Sequence, residues 1–200
     1  MNHLCHIFLS QGDPELLIGN FIGDMVHPSE KKLLPHGIQK GIELHYFIDR
    51  TVDQHPVYKS GMNLLRSSQK KYAPVVIDIF CDFLLVDQWN VFSTMDYGDY
   101  RHKVYGAIIG SNPFAREHRL YPRIVNMIKN DFLASYVHAD RIPHVFSYLQ
   151  KRAKFENNFD QALRDYLNHY EELKEKFLTV FPEMVMATHR YLWDGLIPQN

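Results

Sequence analysis

Cysteine is scarce in this sequence. Cys5 and Cys81 are the only two in 200 residues, too few for a disulfide framework. Long apolar runs are missing as well: none approaches the roughly 18–20 residues that cross a bilayer. The apolar segment at residues 4–9 is interrupted by His6 and carries no basic region or small-residue cleavage site, which argues against a secretory signal. Neither sign of charge dominates, with 22 Lys and Arg against 23 Asp and Glu and a net charge of −1. No global basic field therefore points to nucleic acid. Strand-like alternation of useful length is absent. So are the P-loop and the G-x-G-x-x-G cradle of nucleotide-binding proteins. Cysteine nucleophilic catalysis is disfavoured too. Cys5 and His6 are neighbours whose side chains point in different directions, and Cys81 falls in an apolar stretch where a small core residue is the usual explanation. What remains is the expectation of a cytoplasmic protein with no membrane or nucleic-acid partner.

What the chain does have is an ordinary globular composition, 46% hydrophobic and 22% charged, and a length suited to one domain over residues 1–200. Proline and small polar residues punctuate it as helix starts. Asp13-Pro14, Pro35, His55-Pro56, Pro74, Thr94, Pro122 and Asp140 each precede apolar residues at helical spacing. The clearest period is Phe159, Leu163, Tyr166, Leu167, Tyr170, Leu173 and Phe177, with Glu and Lys on the opposite face. Pro182 then predicts a separate closing helix through Met186 and Leu192. Residues 25–34 read as a polar connector. The expectation is an all-α domain of eight or nine helices.

Histidine is abundant, with 12 copies. His45, Asp49 and Asp53 recur every fourth residue, which stacks them on one helical face. Leu44, Phe47, Ile48 and Val52 press that helix into a core. A histidine and two carboxylates on a half-buried face need a neutraliser, and a divalent cation is a good one. Asn20 and Asp24 are one turn apart, as are Asp78 and Asp82, and His6 sits in an apolar segment. A mixed imidazole and carboxylate set suits Mn²⁺, Fe²⁺ or Zn²⁺ better than Ca²⁺. His55 ahead of Pro56 reads better as a cap of the next helix than as a site residue.

These residues resemble a known family. The opening NHLCHIFLS, GNFIGDMV at 19–26, GIELHYFIDRTVDQHP at 41–56 and DIFCDFLLVDQW at 78–89 are similar, in order and spacing, to four motifs of the bacterial acyl carrier protein phosphodiesterases. YRHKVY at 100–105 and FPEMV at 181–185 are compatible with that family. The resemblance implies an α-helical fold distantly like the His-Asp (HD) phosphohydrolases. It also implies a Mn²⁺-dependent hydrolase that removes 4′-phosphopantetheine from holo-acyl carrier protein.

The ligands expected on this basis are Asp24, His45 and Asp82, with His6 or Asp49 completing the set. Asp49, Asp53 and Asp78 are expected to serve the chemistry, and Asn20, His55 and Tyr46 to face the substrate. Three positions depart from the family pattern: Tyr46 stands where Arg is usual, Val52 where Thr is usual, and Phe83 where His is usual. An HD-type hydrolase of a small molecule or nucleotide, or a family member that binds carrier or metal without turnover, are the alternatives. A carrier-directed enzyme is expected to offer a local basic patch, because acyl carrier proteins are acidic. Lys31-Lys32, Lys70-Lys71 and residues 101–103 are the available clusters.

Overall fold

The computed structural model describes residues 1–194, and the described residues contain helices and no strand. Eleven α-helices follow in order: α1 (His3–Phe8), α2 (Pro14–Ile22), α3 (Pro28–Lys31), α4 (His36–Gln54), α5 (Pro56–Gln69), α6 (Ala73–Asp87), α7 (Trp89–Phe92), α8 (Tyr97–Gly110), α9 (Leu120–Lys129), α10 (Ile142–Gln150) and α11 (Ala162–Asp194). The all-α expectation holds. The count exceeds eight or nine because α1, α3 and α7 are only four to six residues long, too short to show a period.

Local chemistry accounts for most helix starts. Asp13 caps α2, its Oδ1 accepting from the Leu16 amide at 2.8 Å, and Pro14 follows at the first helical position. His27 and Glu30 form a reciprocal capping box on α3, inside the stretch expected to be a connector. Asp96 caps α8 through the amides of Gly98 and Asp99, two residues beyond the expected Thr94. Pro182 does not open a new helix, because it lies inside the continuous 33-residue α11. A proline there forfeits a backbone hydrogen bond and crowds the preceding turn. Phe177, Val180, Phe181 and Met184 are all buried around it, and that packing holds the helix through.

The site rests on α2, α4 and α6. Helices α2 and α4 cross with Gly19 against Gly41. A Cβ on Gly19 would sit 2.2 Å from the Ile38 carbonyl oxygen, and one on Gly41 would sit 2.5 Å from that of Leu16. Only glycine at both positions permits this approach. Further along α4, Leu44, Ile48 and Val52 are fully buried. Helix α6 runs through the centre with Val76, Phe80, Phe83 and Leu84 in the core, and α5 and α11 close over it. Cys5 and Cys81 are both buried and free, and burial pushes both thiols up from their ordinary range, so neither is a nucleophile.

Candidate functional site

The close crossing of α2 and α4 brings His45 against the backbone of α2. Its Nδ1 lies 2.9 Å from the Asn20 carbonyl oxygen. A carbonyl can only accept, so Nδ1 carries the hydrogen and Nε2 is the free ring atom. His6, on α1, is set the same way by the Asn20 side chain. The Asn20 amide nitrogen donates to the His6 carbonyl at 2.6 Å and to Ser10 Oγ at 3.0 Å. Its Oδ1 therefore faces His6 Nδ1, 2.8 Å away, and that nitrogen must donate. A single buried residue thus fixes the tautomer of both histidines, one through its side chain and one through its backbone.

Both free Nε2 atoms then face oxygens. His6 Nε2 lies 3.0 Å from Asp49 Oδ1 and 3.0 Å from the Met1 carbonyl. His45 Nε2 lies 3.0 Å from Asp24 Oδ1 and 3.3 Å from Asp49 Oδ2, yet it is buried and makes no aligned hydrogen bond. The two rings stack with centroids 4.1 Å apart. Ligand atoms of His6, His45 and Asp49 all lie within 4.8 Å of one another. Two imidazole lone pairs and a carboxylate converging on one point repel unless a cation or a proton sits between them. This donor set fits a divalent cation such as Mn²⁺, Fe²⁺ or Zn²⁺.

The ionisation pattern follows from the same contacts. Burial holds the His6 pKa below its ordinary value, against the pull of Asp49. Burial also works to lower His45, but the contact with Asp24 and the charges of Asp49 and Asp24 carry it above its ordinary value. Burial works to raise Asp49, yet His6, the Met1 amine and His45 hold it far below the usual carboxylate range. The contact with His45 keeps Asp24 low as well. Of the two rings, His45 is the one whose surroundings favour the charged form.

The other expected residues fall into three groups. Asp24 joins the cluster from its solvent edge, with its side chain 79% exposed. Asp78 and Asp53 form an adjoining acidic strip. The Met1 amino nitrogen is 3.0 Å from Asp78 Oδ1 and 3.4 Å from Asp49 Oδ1. Burial works to lower that amine, but the two carboxylates push it up to about 11. Tyr58 donates to Asp78. Asp53 is exposed, and partial burial together with Asp78 and Asp49 raises its pKa. Tyr46 is 42% exposed and meets the His45 ring edge-on at 5.9 Å.

The remaining residues lie elsewhere or face other partners. Asp82 is expected among the ligands, but it is fully buried and accepts from the amides of Leu4 and Cys5, both at 3.0 Å, and from Asn2 Nδ2 at 2.9 Å. Its oxygens are committed to the start of α1, so Asp82 places His6 rather than joining it. Burial pushes Asp82 up to about 6 against the pull of those amides. His55 stands at the α4–α5 junction, caps nothing with its side chain, and has Nε2 3.2 Å from Glu183 Oε2. Asn20, expected to face substrate, is fully buried behind the histidines. The Met1 contacts and the Tyr58–Asp78 bond had no signal in the sequence, since nothing in the residue spacing links those positions.

Helices α1, α2 and α4 thus bring His6, His45, Asp49 and Asp24 together. The sequence model for acyl carrier protein phosphodiesterase matches residues 1–184. The chain belongs to that family. It is 26% identical over 200 residues to the acyl carrier protein phosphodiesterases of Salmonella newport (strain SL254) and Salmonella typhimurium (strain LT2), covering 95% of this chain and 98% of each relative. No solved structure matches the chain.

Proposed function

We propose that this protein is a metal-dependent phosphodiesterase that releases 4′-phosphopantetheine from holo-acyl carrier protein. The observation that carries this reading is the pair of histidines locked as Nδ1–H tautomers, with both Nε2 atoms aimed at Asp49. Family membership and the relatives' names supply the substrate. His6, His45 and Asp49 would hold the cation, with Asp24 at its open edge. Bound there, a divalent cation supplies Lewis-acid polarisation of a phosphoryl oxygen and lowers the pKa of water.

The chain's own residues do the rest. Asn20 holds both rings in the ligating tautomer, as partners behind metal-bound histidines commonly do. Asp49 balances the charge at the centre. Asp53, raised in pKa by partial burial and then by Asp78 and Asp49, is the group suited to take a proton from water or return one to the departing serine oxygen of the carrier. Asp78 is tied to Tyr58 and the Met1 amine and orients that strip rather than exchanging protons.

The test is a mass measurement on holo-carrier incubated with Mn²⁺-loaded protein. Conversion to the apo form with free 4′-phosphopantetheine is expected. Unchanged holo-carrier in the presence of metal-loaded protein would end the reading. It would favour a member that binds without turnover, which the uncharged Tyr46 beside His45 supports.

A further inference from the structure

We propose that Arg123 on α9, with Arg119 at the N-cap of that helix and Arg152, forms the surface on which the acidic carrier protein docks beside the site. The inference rests on the carrier reading above and names where that partner sits. Arg119 Nη2 donates to the Met25 carbonyl at 3.1 Å and pairs with Glu30 Oε2 at 2.6 Å. Met25 directly follows Asp24, the exposed edge of the candidate metal cluster. The first turn of α9 is thereby fastened to the mouth of the site.

Arg123 lies four residues after Arg119, on the same helical face. Arg119 has its charge matched by Glu30. Arg123 and Arg152 pair with no carboxylate among the described residues, and Arg123 is half-buried. Burial first, and then the guanidiniums of Arg152 and Arg119, lower the Arg123 pKa. A half-buried guanidinium facing two others and no acid is unfavourable, and an external anion relieves it. The half-buried ring of His3 links this patch to the site. Burial, His6 and Arg123 all depress its pKa while Asp24 opposes them, so the arginine and the cluster act on one ring.

The cations come from α9 and from the segment after α10. That spread is broader than one phosphate group needs, and it suits several carboxylates on a protein surface, each able to take a forked guanidinium contact. Of the three basic clusters expected to serve this purpose, two have a member already matched by a carboxylate. Lys31 is matched by Glu43 at 3.3 Å and Arg101 by Asp131 at 2.8 Å. With a net charge of −1, steering comes from this local patch and weakens as salt rises.

The experiment measures apo-carrier binding by titration calorimetry at low salt, and steady-state hydrolysis of holo-carrier beside that of bis(4-nitrophenyl) phosphate. Arg123→Glu and the exposed Arg152→Glu are each expected to raise carrier Kd and KM at least tenfold. The rate on the small diester should stay unchanged. Arg123→Lys should remain within about threefold, and Lys103→Glu on α8 should bind as the parent does. Circular dichroism identifies any variant that misfolds, and Arg152→Glu keeps the test open if Arg123→Glu does. Unaltered carrier binding in both Glu variants, or equal weakening by Lys103→Glu, overturns the docking surface while leaving the hydrolytic reading intact. Arg123-dependent binding without hydrolysis by the parent overturns the hydrolytic reading and leaves the surface standing. A parent protein that neither binds nor hydrolyses carrier overturns both.

Discussion

The imidazoles of His6 and His45 stack at 4.1 Å with 24° between their planes, and both direct Nε2 at the carboxylate of Asp49. Two rings this close do not share two protons comfortably. His6 is held down and His45 held up, so His45 is the ring that holds a proton more readily. On the metal-dependent reading proposed above, binding of a cation would expel any proton held there. Calorimetric Mn²⁺ titration near pH 7, repeated in buffers of different ionisation enthalpy, is expected to report release of up to about one proton. His45→Ala should abolish both the release and the binding.

Asn20 controls both rings without reaching the centre. Loss of a partner behind a metal-binding histidine typically weakens metal affinity about 10–100-fold. Asn20→Ala is expected to fall in that range for Mn²⁺. Asp82→Asn, whose side chain faces α1 instead, should stay within a few-fold of the parent. Elemental analysis of dialysed protein separates the two; equal loss of metal in both variants would refute the division of roles.

Asp82 has a structural consequence of its own. Asp82→Ala leaves the buried amides of Leu4 and Cys5 without acceptors. Unsatisfied buried donors cost about 1–3 kcal/mol, so a loss of about 3 kcal/mol in urea denaturation is expected. Asp82→Asn should lose less, because one oxygen remains to accept.

Gly23 separates packing from function. A Cβ there would lie 2.3 Å from His45 Cγ. Gly23→Ala must displace that ring, and overpacking of this kind costs about 1–3 kcal/mol. The expected result is a folded protein by circular dichroism whose Mn²⁺ affinity falls at least tenfold.

His3 gives a pH dependence with a definite sign. It packs against Phe21 and Phe132 at 5.4 and 6.0 Å. Burial, with His6 and Arg123, lowers its pKa from 6.5 to about 4. The folded state therefore binds the proton less readily than the unfolded chain. Its contribution to stability is full above pH 6.5 and is lost as the pH falls from 6.5 towards 4. His3→Phe, which keeps the aromatic contacts, should flatten that part of the stability profile measured by chemical denaturation at each pH.

Much of this arrangement could be read from residue spacing. The turn-by-turn repeat of His45, Asp49 and Asp53, set among Leu44, Ile48 and Val52, pointed to α4, where the first two join the cluster and Asp53 stays exposed beside it. Asp13-Pro14 marked a helix start through cap and proline together, and His55-Pro56 marked one through the proline, since such effects act locally. Asp82 shows where such reading stops. Its spacing from Asp78 matched that of a ligand pair, yet its partners are amides of α1, a six-residue helix with no detectable period. Pro182 shows the same limit from the other side: local chemistry said break, and the surrounding aromatic packing overruled it. Asn20 is intermediate, since its one-turn spacing from Asp24 marked it as part of the site, but its role behind both rings depends on a helix crossing that spacing does not reveal.

The bond from the Cys5 amide to Asp82 spans 77 residues of chain. The segment that carries His6 is made first but has no acceptor for its leading amides until α6 has been made and has closed back over it. Pairings this distant in sequence form late, because a long loop must be ordered before they reward it. A nascent chain that has completed α2 and α4 would hold His45 and Asp49 while His6 still wanders. The complete cluster of His6, His45 and Asp49 should then appear abruptly during synthesis, at the length that releases α6 from the ribosome, and not accumulate helix by helix.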